Sequence, residues 1–245
     1  MRTIRELSAE SVLLAGGARA ILLQLADPAV AAGVARHSDF SERPLERLHG
    51  TLTYLYVTVY GTDDERAAIA REVGAAHRPV RGDGYDARDE SLQLWVAATL
   101  YDSARLVRER VWHPLTAADE DALLAEYAVL GTALGMPRAL WPTDTADFAR
   151  YRDARPLTVT PEAREVAHAL LHSRAVPLWM RALLPLVRQT TAGMLPLELR
   201  EAYGLAYDAR ADERVWAVLR AVYPRLPRRL RTLPARRYLR SYRSR

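Results

Sequence analysis

His77 closes the segment DDERAAIAREVGAAH, four residues after Val73 and eight after Ile69. A helix of 3.6 residues per turn puts all three, with Ala70, on one face, so the ring is expected to point inward. An inward histidine is either a satisfied structural side chain or a metal ligand, and one at the end of a buried helix has the geometry of a proximal haem ligand. Periodicity alone leaves both open. On the preceding segment Arg47, Thr51, Tyr54 and Thr58 recur at steps of four, three and four, forming a polar stripe beside the leucines. Such a stripe is either a semi-exposed flank or a set of donors, with Arg for haem propionates and hydroxyls for a distal ligand.

Other arrangements carry less. Two Glu-x-x-His spacings, Glu46/His49 and Glu165/His168, have the form of a di-iron carboxylate site. Glu165, His168 and His172 lie opposite the apolar face of Ala163, Val166, Ala167 and Leu170, and Glu46 lies off the leucine stripe, so both read as solvated surface. The pair His168/His172 lacks the central glutamate of a metalloprotease helix. There is no Gly-x-Ser-x-Gly elbow and no glycine-rich phosphate loop; RGDGYD reads as a turn. Cysteine is absent, which excludes thiolate catalysis, iron–sulfur clusters and Cys-ligated haem. All 35 basic residues are arginine, so Schiff-base chemistry and a P-loop lysine are excluded as well.

The elements that must position these residues read as helices nearly throughout. Residues 19–36 are apolar almost all round with a break at Asp27-Pro28, which predicts two short buried helices. A helix opening at Ser41 carries Leu45, Leu48, Leu52, Leu55 and Val59 and stops at Gly61; Thr62 with Glu65 forms a capping box for the next. A turn-rich stretch then leads into SLQLWVAATLYDSARLVRERV. Thr116 with Asp119, Thr143-Asp144, and Thr160 with Pro161 open further helices, and Gly135-Met136-Pro137 closes one. Residues 177–203 read as helix interrupted at Pro185 and Pro196, and 212–223 as the last helix. The expectation is an all-α, single multi-helix domain of nine or ten helices over 1–224, followed by an Arg-rich C-terminal tail, 225–245.

The net charge of +5 is uneven: nine arginines and no acid lie in 225–245, leaving −4 on residues 1–224. The tail is expected to be solvated and poorly ordered, with Pro224, Pro227 and Pro234 interrupting any amphipathic helix. It could meet an acidic partner or a membrane surface; nucleic acid is not an expected partner. No signal-type segment and no apolar run of about 18–20 residues is present, so no transmembrane segment and a cytoplasmic location are expected.

Several blocks, in order, resemble the MpaB/latex-clearing-protein (Lcp) oxygenase family: LLAGGARAILLQLADPAVAAGVARHSDF, PLERLHGTLTYLYVTVYG, VGAAHRPVRG, YDARDESLQLWVAATLYDS, LGMP, LTVTPEAREVA and MLPLELREAYGL. The likeness spans roughly residues 10–205. It implies a globin-like helical core binding haem b, with His77 as the iron ligand and Arg47 and Thr51 on the distal side, acting with dioxygen on an apolar substrate. Tyr54, on the same stripe, joins the expected cofactor contacts. The chain departs from the family where latex-clearing members carry lysine before the distal threonine; here that residue is Gly50, which implies a more open distal pocket. Asp27 and Ala97 stand where many members have histidine, and the acidic residue upstream of the distal Arg has no clear counterpart. Polyisoprene is therefore not the expected substrate; a small apolar or aromatic metabolite is, in a haem-dependent oxygenase or oxidase. The alternative is a non-catalytic member that keeps the fold to bind haem, a ligand or a partner. Nothing in the sequence speaks to oligomeric state.

Overall fold

The computed structural model describes residues 1–37 and 43–244, and the expected helix opening at Ser41 lies outside them. The described chain is all-helical but for one two-stranded hairpin. Its helices are α1 (Ile4–Ser8), α2 (Gly17–Leu25), α3 (Pro28–His37), α4 (Pro44–Tyr60), α5 (Asp63–His77), α6 (Glu90–Val111), α7 (Ala117–Tyr127) and α8 (Val129–Thr132). They continue with α9 (Thr145–Ala154), α10 (Pro161–Leu171), α11 (Leu178–Met194), α12 (Leu197–Ala202), α13 (Ala209–Val222), α14 (Arg228–Arg231) and α15 (Leu233–Arg243). The hairpin pairs Arg81–Gly82 with Tyr85–Asp86 between α5 and α6.

Helix starts follow the caps expected from the sequence. Thr62 accepts the amide of Glu65 while the Glu65 carboxylate accepts the amide of Thr62, the reciprocal box that launches α5. Asp27 breaks α2 from α3 and accepts the amide of Ala29, and Asp144, Thr116 and Thr160 cap α9, α7 and α10. Two expectations fail. The helix expected to run on from α7 is broken at Ala128, where the short α8 begins. Pro185 does not interrupt its helix either: α11 runs through it from Leu178 to Met194. Proline removes only one backbone bond, and the ring here lies on an exposed face where solvent can satisfy the freed carbonyl.

The core is built around α6, which packs along α2 and presents Leu94, Trp95, Ala98, Tyr101 and Val107 inward. Trp95 donates its indole N–H to the Leu23 carbonyl at 3.1 Å, which satisfies its polar edge inside the apolar cluster. A buried ion pair also locks α2 to α6. The Arg19 guanidinium meets Asp102 at 2.6 Å, Ser103 Oγ at 2.9 Å and the Met194 carbonyl at 2.8 Å, so α6 and the end of α11 are tied to one side chain of α2. Desolvation pushes the Asp102 carboxyl up, but Arg19, Arg105 and Arg152 outweigh it and hold its pKa below the usual carboxylate value.

The C-terminal segment corrects the expectation of a solvated tail. Residues 233–243 form α15, which lies along α4: Ala235, Tyr238 and Leu239 pack on Leu52 and Tyr56, while Leu239 and Tyr242 reach the cluster of Tyr54, Val57 and Ile69. Arg231 pairs with the buried Glu10 at 3.1 Å, and Arg243 with Glu65 at 2.8 Å. Pro234 sits in the first turn of α15, where a missing N–H costs nothing, so it starts a helix instead of breaking one.

Candidate active site

α4 and α5 form an antiparallel hairpin turned at Gly61, which brings the first turns of α4 opposite the last turn of α5. This juxtaposition sets Arg47 near His77, although 30 residues separate them in the chain. His77 is half-buried and lines a cleft of about 200 Å³ with Gly74, Arg88, Glu90, Gln93, Leu134 and Gly135. Its apolar end is continued by the cluster of Tyr54, Val57 and Ile69, against which Val73 and Leu134 pack.

Burial, and then the positive charge of Arg47, lower the pKa of His77 below its ordinary 6.5. The ring is therefore neutral, with an electron pair to give, over a wider pH range than a solvated imidazole. Among the described residues neither of its nitrogens makes a hydrogen bond.

The polar stripe divides along its length. Arg47 and Thr51 are exposed at the rim, and the Thr51 hydroxyl donates to the Arg47 carbonyl at 3.0 Å, back along its own helix. Tyr54 and Thr58 are buried one and two turns further on, and the Tyr54 hydroxyl donates to the Leu130 carbonyl at 2.5 Å. Tyr54 therefore braces α4 against α8. Gly50 is exposed, and a Cβ there would meet nothing within 4 Å. Asp27 is occupied with Arg155 at 2.5 Å and with capping α3, and Ala97 is buried in the core.

Of the side chains lining this cleft sequence reasoning singles out His77 alone, and the most buried of the others is Gln93. Gln93 lies in the first turn of α6, whose start is fixed by Asp89 accepting the amides of Ser91 and Leu92. It is only 8% exposed, and its Oε1 is buried without a hydrogen-bond partner among the described residues. A buried carbonyl left unpaired costs about 1–3 kcal/mol, so its presence at the cleft points to a donor that the protein alone does not supply. The signal in the sequence was a lone amide between Leu92 and Leu94 in an apolar run. Gly135 stops a helix, and its φ of +107° is the conformation that lets the α8 end turn back over the cleft.

A larger cavity, about 400 Å³, opens beside Trp95, Phe148 and Met194. Its cations are engaged: Arg19 with Asp102, Arg110 with Asp212 at 2.9 Å and Arg152 with Asp153 at 2.9 Å. The His77 cleft differs in holding, among the described residues, an imidazole without a hydrogen bond and an orphaned carbonyl.

Residues 4–225 match the family described as ER-bound oxygenase mpaB/B′/rubber oxygenase, catalytic domain. The chain belongs to this family. The match makes it an oxygenase-type catalytic domain, ending where the arginine-rich segment begins. Uncharacterized proteins of Mycobacterium bovis and Mycobacterium tuberculosis are each 33% identical over 224 residues, covering 85% of this chain and 88% of theirs. No solved structure matches the oxygenase domain. No single helix of its described residues is long and apolar enough to cross a membrane, and they contain no cluster of three or more His, Asp or Glu residues suited to an all-protein metal site.

Because Tyr54 acts as a brace, Tyr54→Phe is expected to lower stability by about 1 kcal/mol, the usual worth of one hydrogen bond. A urea midpoint measures it. A variant that kept its stability but lost cofactor would show that the hydroxyl faces the site.

Proposed function

We propose that this oxygenase domain uses haem b, held through His77, to oxidise a small apolar or aromatic metabolite with dioxygen. The observation that carries the reading is the state of His77: half-buried, favoured neutral, free of hydrogen bonds among the described residues and faced by a cation. A single imidazole and no competing protein ligand suits a metal whose other positions are filled by a macrocycle. The cleft is smaller than the ~300–1,000 Å³ that encloses a typical ligand, so the reading requires it to open further when haem binds. Haem, when bound, supplies the oxygen-activating redox chemistry. The chain's part is to hold the iron, exclude water and place the substrate. Gln93 Oε1 is an acceptor suited to a donor on the substrate. Leu134, packed on the cluster of Tyr54, Val57 and Ile69, gives the cleft an apolar wall suited to an apolar substrate. The cytoplasm remains the proposed location of catalysis.

The test is reconstitution of purified protein with haemin. An open catalytic site gives a Soret band that shifts on reduction and again with carbon monoxide. A CO-silent six-coordinate spectrum, or no uptake, would favour a binding module without catalysis.

Arg47 has two possible duties that separate experimentally. Its position at the rim, opposite His77, favours action on oxygen. Arg47→Ala is then expected to keep its haem while oxygen consumption falls by on the order of 10²-fold, the usual loss for one preorganised donor. Loss of haem with little change in turnover per haem would instead assign Arg47 to a propionate. If Arg47→Ala and Thr51→Ala both behave as wild type, the rim of the stripe is a solvated flank.

A further inference from the structure

α11 is anchored at one end only. Thr190, Thr191, Ala192 and Met194 are buried, and Gly193 lies so close to α13 that a Cβ would come within 2.5 Å of the Asp212 carboxylate. The preceding residues, 178–186, read LWMRALLPL and stand largely in solvent. Leu178 is 78% exposed and Trp179 67%, and Leu183 and Leu186 continue the exposed apolar face at steps of four and three. Such large apolar side chains clustered in water mark a surface that is covered in use.

Charge narrows what covers it. Between Glu165 and Glu198 there is no acidic residue, while Arg174, Arg181 and Arg188 punctuate the segment. Among the described residues Arg174 and Arg181 have no carboxylate partner. The stacked rings of His168 and His172 lie beside Arg188, so this edge gains no negative charge from α10. From α13, Asp208 and Asp212 meet α11 only at its buried end, through Gln189 and beside Gly193. A second copy related by a two-fold axis would set these arginines against themselves with no acid to pair them. The complementary surface must be apolar inside and anionic at its edge, and it must accept a protruding helix rather than fill a groove. A bilayer with acidic headgroups has both properties: acyl chains for the leucines, phosphates for the arginines, and an interfacial layer suited to tryptophan.

We propose that residues 178–186 of α11 are a monotopic docking face for an anionic lipid surface. The proposal does not depend on the cofactor. It would place an oxygenase for apolar compounds where such compounds partition.

Full-length protein is mixed with phosphatidylcholine vesicles with or without phosphatidylglycerol and separated by flotation. Flotation is expected with phosphatidylglycerol, weakening as salt rises. Of the five tryptophans, Trp95, Trp141 and Trp216 are buried and Trp112 is partly covered, so a change in solvent exposure on binding reports Trp179. Its emission should shift to the blue and resist aqueous quenchers, and Trp179→Phe should remove that signal while leaving flotation. Leu178→Glu with Leu183→Glu should reduce flotation about tenfold or more with an unchanged melting curve, since both side chains are exposed. Three results would overturn the proposal: no flotation of the wild type, wild-type flotation of the double variant, or a dimer in solution that the double variant dissociates. Flotation abolished by Arg228→Ala with Arg229→Ala but not by the α11 changes would also overturn it, moving the contact to the C-terminal arginines.

Discussion

Replacing His77 by alanine is expected to abolish stoichiometric haem b uptake while leaving the helical circular dichroism and the melting temperature close to wild type. The two halves of this expectation have separate grounds. His77 is the last residue of α5 and only half-buried, and alanine is a good helix former, so little packing is lost. The other histidines are poor substitutes: His37 is bonded to the Tyr85 hydroxyl at 2.9 Å, His49 packs against Tyr238, and His113, His168 and His172 are exposed. Absorbance at the Soret band per mole of protein measures the effect. Full occupancy with an unchanged spectrum in the variant would transfer the ligand role to another residue and remove the basis of the proposed function.

Deleting residues 226–245 is expected to cost about 4–6 kcal/mol, from Tyr238, Leu239 and Tyr242 at roughly 1.5–3 kcal/mol for each fully buried side chain, discounted for partial exposure. This removes much of the 5–15 kcal/mol that holds a typical domain folded. Tyr56, buried against Tyr238 at a ring separation of 5.5 Å, would face water. The buried Glu10 would lose Arg231 and keep only the Tyr223 hydroxyl at 2.9 Å, so part of the cost is an unpaired carboxylate rather than lost apolar contact. The sequence alone suggests the opposite, a dispensable tail. A urea midpoint for the truncated chain decides the matter: an unchanged value would mean that α15 adds nothing to α4. Because α15 also packs on Leu52 and Tyr56, below the rim residues Arg47 and Thr51, truncation should weaken haem retention too.

How much could be read without the structure differs by the range of the force involved. Capping is local: Thr62 and Glu65, Thr160 and Pro161, and Asp144 fix helix starts within a few residues, and all were legible. Helical period is local as well, which is why Ile69, Val73 and His77 could be set on one face and Arg47, Thr51, Tyr54 and Thr58 on another. What covers a face is not local. The stripe of α4 is polar along its whole length, yet its first half is open and its second half is sealed by α8, α5 and α15. Gln93 became part of the cleft because α6 crosses the end of α5, and Pro185 was passed because its face of α11 meets solvent. The sequence by itself determined most of the helices and their caps, the absence of cysteine and lysine chemistry, and the placing of His77 on one face with Ile69 and Val73. Only the tertiary structure decided which of those helical faces are buried, because burial depends on contacts between residues as far as 221 positions apart, as Glu10 and Arg231 are, and no spacing along the chain encodes them.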